Sequence, residues 1–198
     1  MPKAKIAMVA LAAVLVVAGA AVWFLLGRGF SAREEPTSVE AWVARRVRRL
    51  ATPRSARDAQ NPVPATPENL GEARAHFADH CAACHGNDGS GETEIGQGLY
   101  PKPPDMRQAE TQSLSDGELF YIIHNGIRLT GMPAWGTGAA AEDEDSWKLV
   151  HFIRRLPNIT PQELEEMERM NPISRSELEI ERFLQGEDSQ PAEGHPHQ

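Results

Sequence analysis

The longest apolar run in the chain is IAMVALAAVLVVAGAAVWFLL, residues 6–26, which carries no charge. A helix of that length, at about 1.5 Å per residue, spans roughly 30 Å, the thickness of a bilayer's hydrocarbon core. No polar stripe runs along it to meet water, so the pattern predicts a transmembrane helix. Lys3 and Lys5 precede it, which favours a cytoplasmic amino terminus with the rest of the chain outside. Ala18-Gly19-Ala20 resembles a signal cleavage site, but the run continues through Val22, Trp23, Phe24, Leu25 and Leu26. The apolar part of a signal peptide is usually only about 7–15 residues long, so an uncleaved anchor is expected. Either reading exports the remainder.

Residues 27–66 read as a stem. Within it VEAWVARRVRRL sets Trp42, Val43, Val47 and Leu50 toward one side of a helix, with Arg45, Arg46, Arg48 and Arg49 crowding the rest. Such a segment suits anionic lipid headgroups, and equally a solvated helix or one packed on an acidic domain of its own chain. The following PRSARDAQNPVPATPENL is rich in proline and predicts an extended connector.

Beyond it, helix boundaries are written in the capping residues. Thr66 followed by Pro67 starts a helix through LGEARAHFADHCA. Ser115-Asp116-Gly117-Glu118 is a capping box, and its helix DGELFYIIHN stops at Gly126. Asp143 or Asp145 caps SWKLVHFIRRL, which Pro157 ends. Thr160 to Glu163 and Ser174 to Glu177 repeat the capping pattern, and GEDSQPAEGHPHQ reads as disordered. The expected organisation is a stub and anchor over 1–26, the stem over 27–66, a helical domain over 67–157, a helical extension over 158–186 and a tail over 187–198. Residues 85–113 show no convincing strand alternation, so three short helices are the domain's expected regular elements. Two long segments, 85–113 and 126–142, join its helices. Loops of this length in a compact domain usually have a task, and three short helices make a thin core, so something else is expected to fill the middle.

Charge divides along the same lines. Residues 1–60 hold ten Lys and Arg against four Asp and Glu, whereas residues 61–198 hold ten against twenty-four. An acidic head on a basic stem repels phosphate, which argues against nucleic acid as a partner.

Both cysteines of the chain lie in CAACHG, as Cys81 and Cys84, and His85 follows. Two thiols three residues apart with an imidazole next in line read as a c-type haem attachment: the thiols add to the haem vinyl groups and the imidazole ligates the iron. A disulfide between them would close a tiny loop and constrain little. A thioredoxin-like pair needs a strand-helix-strand setting, and a zinc site needs four ligands, neither of which the pattern supplies. One covalent haem c therefore also answers the question of what fills the domain.

A second axial ligand is expected from the far side of the ring. Met132, in NGIRLTGMPAWG, has Gly131 before it to let the backbone approach and Pro133 after it to stiffen the loop. A thioether opposite an imidazole is the electron-carrier pairing. Met106 is a cramped alternative; Met167 and Met170 fit packing roles, and His124 and His151 fit ordinary satisfied histidines. His76 and His80 share the helix of the attachment site and cannot reach the opposite face.

CAACHG and GMPAWG together make residues 67–157 resemble a bacterial monohaem class I cytochrome c, here preceded by a membrane anchor. The resemblance implies a small all-α wrap around one covalent haem, with its first and last helices crossing closely. Phe77 and Phe152 match the aromatic residues of that crossing, with Trp147 joining them. It further implies a proline carbonyl accepting the bond from the other nitrogen of His85, among Pro101, Pro103 and Pro104, with Pro103 or Pro104 favoured. Arg107 and Arg128 flank the haem loops as propionate partners, against a reading as solvated surface. Leu99, Leu114, Tyr121, Ile127, Leu129 and Trp135 are the expected haem-packing residues. The basic stem and the helices after Pro157 lie outside the family's minimal domain.

The sequence thus points to an electron carrier rather than an enzyme, tethered on the periplasmic face of the inner membrane and serving membrane redox complexes as donor and acceptor. A fixed subunit of a respiratory oxidase or dehydrogenase is the first alternative. A haem peroxidase or gas sensor is the second; it would need an open iron position, which Met132 argues against.

Overall fold

A computed structural model describes residues 2–29 and 31–173. The Ser174–Glu177 capping pattern, His195, His197 and most of the expected extension and tail lie outside these. Among the described residues every regular element is helical, so the chain is all-α.

Helix α1, Pro2–Arg28, contains the apolar run, and over Lys3–Phe24 its side chains contribute nothing to any core. Helix α2, Ser38–Ala51, begins at a capping box that pairs Thr37 with Glu40, and none of its residues is buried. A short turn at Thr52 and Pro53 leads into α3, Arg54–Arg57.

The domain itself is built on three helices. Helix α4, Pro67–His76, starts at Thr66, whose hydroxyl accepts from the Asn69 amide. It runs without a break into a π turn, Phe77–Cys81, and then α5, Ala82–His85. After one-turn helices α6, Glu94–Gln97, and α7, Ala109–Gln112, comes α8, Asp116–Asn125, opened by the Ser115–Glu118 capping box and closed by Gly126 at φ 65°. Helix α9, Glu144–Arg155, is capped by Asp143, which accepts from the Ser146 amide. It ends in a 3₁₀ turn at Leu156–Asn158 before α10, Pro161–Glu168.

Helix α9 is the centre of this arrangement. Its apolar side lies against α4 on one flank and α8 on the other. Phe77 and Phe152 meet with ring centroids 5.0 Å apart, which is the aromatic crossing expected from the resemblance. Both rings are fully buried, each removing an area worth about 2–3 kcal/mol from water. Trp147 differs from expectation. It joins the same core but stacks on Phe120 at 4.1 Å, because its place on α9 turns its ring toward α8. Helix α10 closes the base: Met167 is fully buried, and Arg74–Glu166 and Arg155–Glu163 tie it to α4 and α9. Met167 is thus a packing residue.

Residues 52–66 differ from a free connector. The backbone of α3 lies directly on α8 at Gly117, where an added Cβ would stand 1.9 Å from the Ala56 carbonyl oxygen. The Ser115 hydroxyl donates to the Arg57 carbonyl at 2.7 Å, and the Asn61 amide donates to the Trp147 carbonyl at 3.0 Å. Val63 is buried in the core, and His151 Nε2 bonds its carbonyl at 2.7 Å. The prolines make this stretch extended, and extension lets its backbone serve as a hydrogen-bonding strap across α8 and α9.

Candidate functional site

The thiols and the imidazole sit at the carboxyl end of the α4 to α5 run. Because Ala82 N–H bonds the Phe77 carbonyl, five residues back, the helix is locally wide just before Cys81. A π turn of this kind is frequent at functional sites. It keeps Phe77 against Phe152 while re-aiming the turn that bears Cys81 and Cys84, which are not disulfide-bonded. Burial, with the neighbouring Cys84 adding to it, pushes the Cys81 thiol up to about 12. It is therefore a neutral S–H at physiological pH.

His85 ends the run, with Gly86 beyond it at φ 73°. The imidazole is buried, 6.5 Å from the Phe77 ring, and burial pulls its pKa down to about 4. Its ring is held neutral, the form in which imidazole donates a lone pair to a metal. Nδ1 of this ring is buried and has no hydrogen-bond partner. An unsatisfied buried nitrogen costs about 1–3 kcal/mol, so this ring is set up for a bond beyond the packing around it.

The first long loop wraps this helix end. The Thr93 hydroxyl reaches the Ala83 and Cys84 carbonyls, satisfying acceptors that the helix leaves open. Gly91 N–H bonds the His85 carbonyl at 2.8 Å. A Cβ on Gly91 would fall 2.6 Å from the Pro103 carbonyl oxygen, so the proline segment lies directly on the backbone that holds His85. The expected bond from His85 to a proline carbonyl is not formed in this structure, since Nδ1 is unpartnered. Pro103 is half-buried beside this turn, whereas Pro104 is exposed. The Arg107 guanidinium bonds Asp105 twice, at 2.8 and 2.9 Å, and Asp88 at 2.7 Å, so in this structure it clasps the two ends of the loop together. Those bonds hold the Asp105 carboxyl down at about 2.

The second long loop carries Met132. Gly126 turns the chain so tightly that a Cβ there would meet the Met132 carbonyl and Ala134 amide within 3 Å. Ile127 N–H bonds the Met132 carbonyl at 3.1 Å, and the Thr130 hydroxyl accepts from the Met132 amide at 3.1 Å. Past Met132 the chain returns onto α8, with Trp135 N–H to the Ile123 carbonyl and Gly136 N–H to the His124 carbonyl. A Cβ on Gly131 would come within 2.8 Å of Leu99, so this loop touches the first one. The Trp135 ring lies 5.4 Å from His80, bringing the Met132 loop beside the helix that bears the thiols. His124 and Asp143 anchor the far end of the loop by a 2.6 Å bond.

Residues 68–153 match the family model described as cytochrome c oxidase, cbb3-type, subunit III. No curated protein matches the chain. That match supports a class I c-type cytochrome domain over these residues.

A cytochrome domain of this class carries haem c, and the residues present fit that group: two unpaired thiols one turn apart, a neutral imidazole next in sequence with an orphaned ring nitrogen, and glycine loops on either side. Among the expected packing residues of the cytochrome domain, Leu114 and Trp135 pack against the core and Leu99, Tyr121 and Ile127 are half-buried. Leu129 is 93% exposed at φ 63°, a left-handed conformation that costs a branched residue, and it joins no packing cluster here. Arg128 is exposed. Met106 packs against the core, while His124 and His151 are bonded to Asp143 and the Val63 carbonyl. Sequence reading missed Thr93, Gly91 and Gly96, which seat the first loop on the helix end; the glycines spaced through GNDGSGETEIG were the only sign of them.

Proposed function

We propose that this chain is a membrane-tethered, monohaem electron carrier. Helix α1 holds it in the inner membrane, and its cytochrome domain works on the periplasmic side. Cys81 and Cys84 would hold one haem covalently, each S–H adding across one of its vinyl groups. His85 and Met132 would hold its iron. Bound haem supplies a one-electron couple. His85 contributes a lone pair from a ring that burial keeps unprotonated. Pro103 is the residue whose carbonyl would accept a hydrogen bond from the Nδ1–H of that ring, orienting it and raising its basicity. Met132, on a loop pinned at Ile127, Trp135 and Gly136, contributes a soft thioether that favours the reduced state. The clasp of Arg107 on Asp88 and Asp105 fixes the first loop, and the Phe77–Phe152 crossing fixes the helix, so little rearranges when the charge on the site changes. No substrate bond is made or broken. The acidic head steers the carrier toward basic docking surfaces, and tethering raises its local concentration near membrane partners.

The observation that carries this reading is the buried, neutral His85 one residue beyond the thiol pair, with a ring nitrogen left unpartnered. The test is Met132→Ala in the haem-loaded protein. Loss of the weak methionine-to-iron charge-transfer band and a fall in potential are expected, with the haem still attached. An unchanged ferric spectrum and potential would remove Met132 from the iron.

A second reading, favoured by the matched family's description, makes the chain a fixed subunit of an oxidase. Co-migration with a larger haem-containing complex in mild detergent supports it; a peak at the mass of this chain alone supports the mobile carrier.

A further inference from the structure

Helix α2 presents its apolar residues outward. Val39, Trp42, Val43, Val47 and Leu50 are 44–79% exposed and fall on one arc of the helix, at about 100° per residue. The half-buried residues of α2, Ala41 and Arg48, lie on the opposite side. Contacts to the rest of the chain come from polar groups: Arg45 pairs with Glu110 at 3.1 Å, and just before the helix Glu35 pairs with Lys102. An amphipathic helix in water does the reverse, turning its apolar arc onto its own domain. This one keeps its apolar arc for something else.

Charge identifies that partner. The domain beneath is acidic, yet of the five arginines in α2 and α3 other than Arg45, namely Arg46, Arg48, Arg49, Arg54 and Arg57, none forms an ion pair among the described residues. Arg46 falls inside the apolar arc, where a long stem can lie along buried neighbours and keep its head at a phosphate. Arg49, Arg54 and Arg57 line one side of an open cleft of about 410 Å³, completed by Asp58, Ser115 and Glu118. Trp42 adds the aromatic group typical of the bilayer interface. The nine residues between α1 and α2 reach at most about 30 Å, so α2 stays near the point where α1 leaves the bilayer.

We propose that α2 and α3 form a platform that lies on anionic lipid headgroups, its apolar arc in the interface and its arginines on phosphates. This rests on the membrane-anchor reading of α1 and goes beyond it. The platform is joined to the cytochrome domain through buried Thr52 and the seat of α3 on Gly117, so docking it sets the orientation of the haem domain over the membrane rather than only its distance.

The test is hydrogen–deuterium exchange on the full haem-loaded chain in nanodiscs of phosphatidylcholine, with or without phosphatidylglycerol. Amides of 39–51 are expected to exchange on the order of tenfold more slowly with the anionic lipid, reversed by high salt. Arg46→Gln and Arg49→Gln together weaken docking by roughly fivefold per arginine and abolish the protection, while the matching lysine variants restore it. These arginines form no ion pair among the described residues, and an unchanged haem spectrum shows that the domain is intact. Exchange of 39–51 that is the same in both lipids overturns the proposal, whatever α1 does. So does protection that appears without lipid and rises with protein concentration, which assigns the arc to a protein contact. Exchange across 6–26 in the same discs reports the anchor separately: fast exchange there sinks the anchor reading without deciding α2.

Discussion

Gly117→Ala is the sharpest probe of how the stem joins the domain. Gly117 lies in the first turn of α8, where alanine would ordinarily stabilise a helix by up to about 1 kcal/mol. The structure reverses that sign. The added Cβ would sit 1.9 Å from the Ala56 carbonyl oxygen and 3.0 Å from that of Ala59. Carbon and oxygen rest at about 3.3 Å or more, so α3 must move by more than an ångström. Both neighbours are backbone, with no flexible side chain to swing aside. Overpacking of this kind costs about 1–3 kcal/mol, and loss of the Ser115–Arg57 bond adds about 1 kcal/mol. The expected net effect is destabilisation of about 2–3 kcal/mol in urea unfolding of the haem-loaded chain, with faster proteolysis within residues 52–63. A neutral or stabilised variant whose connector is no more cleavable would show that α3 does not rest on α8.

Other expectations are simpler. Phe152→Ala empties a fully buried site against Phe77 and should cost about 3–5 kcal/mol by denaturant unfolding; a cost under about 1 kcal/mol would mean the helix crossing is not tight. Acid should loosen the domain in a defined window. Asp105 is held at about 2 by Arg107, and Glu163 is held at about 2 by Arg155 and Thr160 in spite of the opposing effect of burial. Both folded values lie below the unfolded ones, so their contribution is complete above about pH 4.5 and lost as pH falls toward 2. Each partly exposed pair is worth about 1 kcal/mol at most, and Asp105→Asn with Glu163→Gln should flatten the fall in urea midpoint over that range.

The helical frame was legible because its signals are local. Thr66, Ser115, Asp143 and Thr160 each cap the helix that the sequence assigned to them, and Gly126 ends α8. The Phe77–Phe152 contact followed from resemblance supported by two apolar helix faces. Non-local matters were not legible. Residues 52–66 look like a linker because proline and small polar residues describe their own backbone, while their partners, the Ser115 hydroxyl, the Trp147 carbonyl, the His151 ring and Gly117, lie 58 or more residues away. Arg107 looked available since its two carboxylates, Asp88 and Asp105, are recognisable only once the loop closes. Trp147 was assigned to the right core and the wrong neighbour, a difference of one helix face. The π turn had no sequence signal, as it conserves every helical residue and alters only which carbonyl each amide finds. At the candidate site, Cys81, Cys84 and His85 are proposed on their spacing along the chain, and the structure sets all three on one helical run. The proline and arginine assignments depended on how a long loop folds, and there pattern gave the segment and not the atom.

The account stands on haem bonded covalently to this polypeptide, and intact mass after extraction tests that most directly. Protein purified from its native host, denatured and washed with acidified organic solvent, should keep its pigment and show the mass of the chain plus one haem. Cys81→Ala with Cys84→Ala should release it. A pigment-free chain at its plain polypeptide mass would contradict the account.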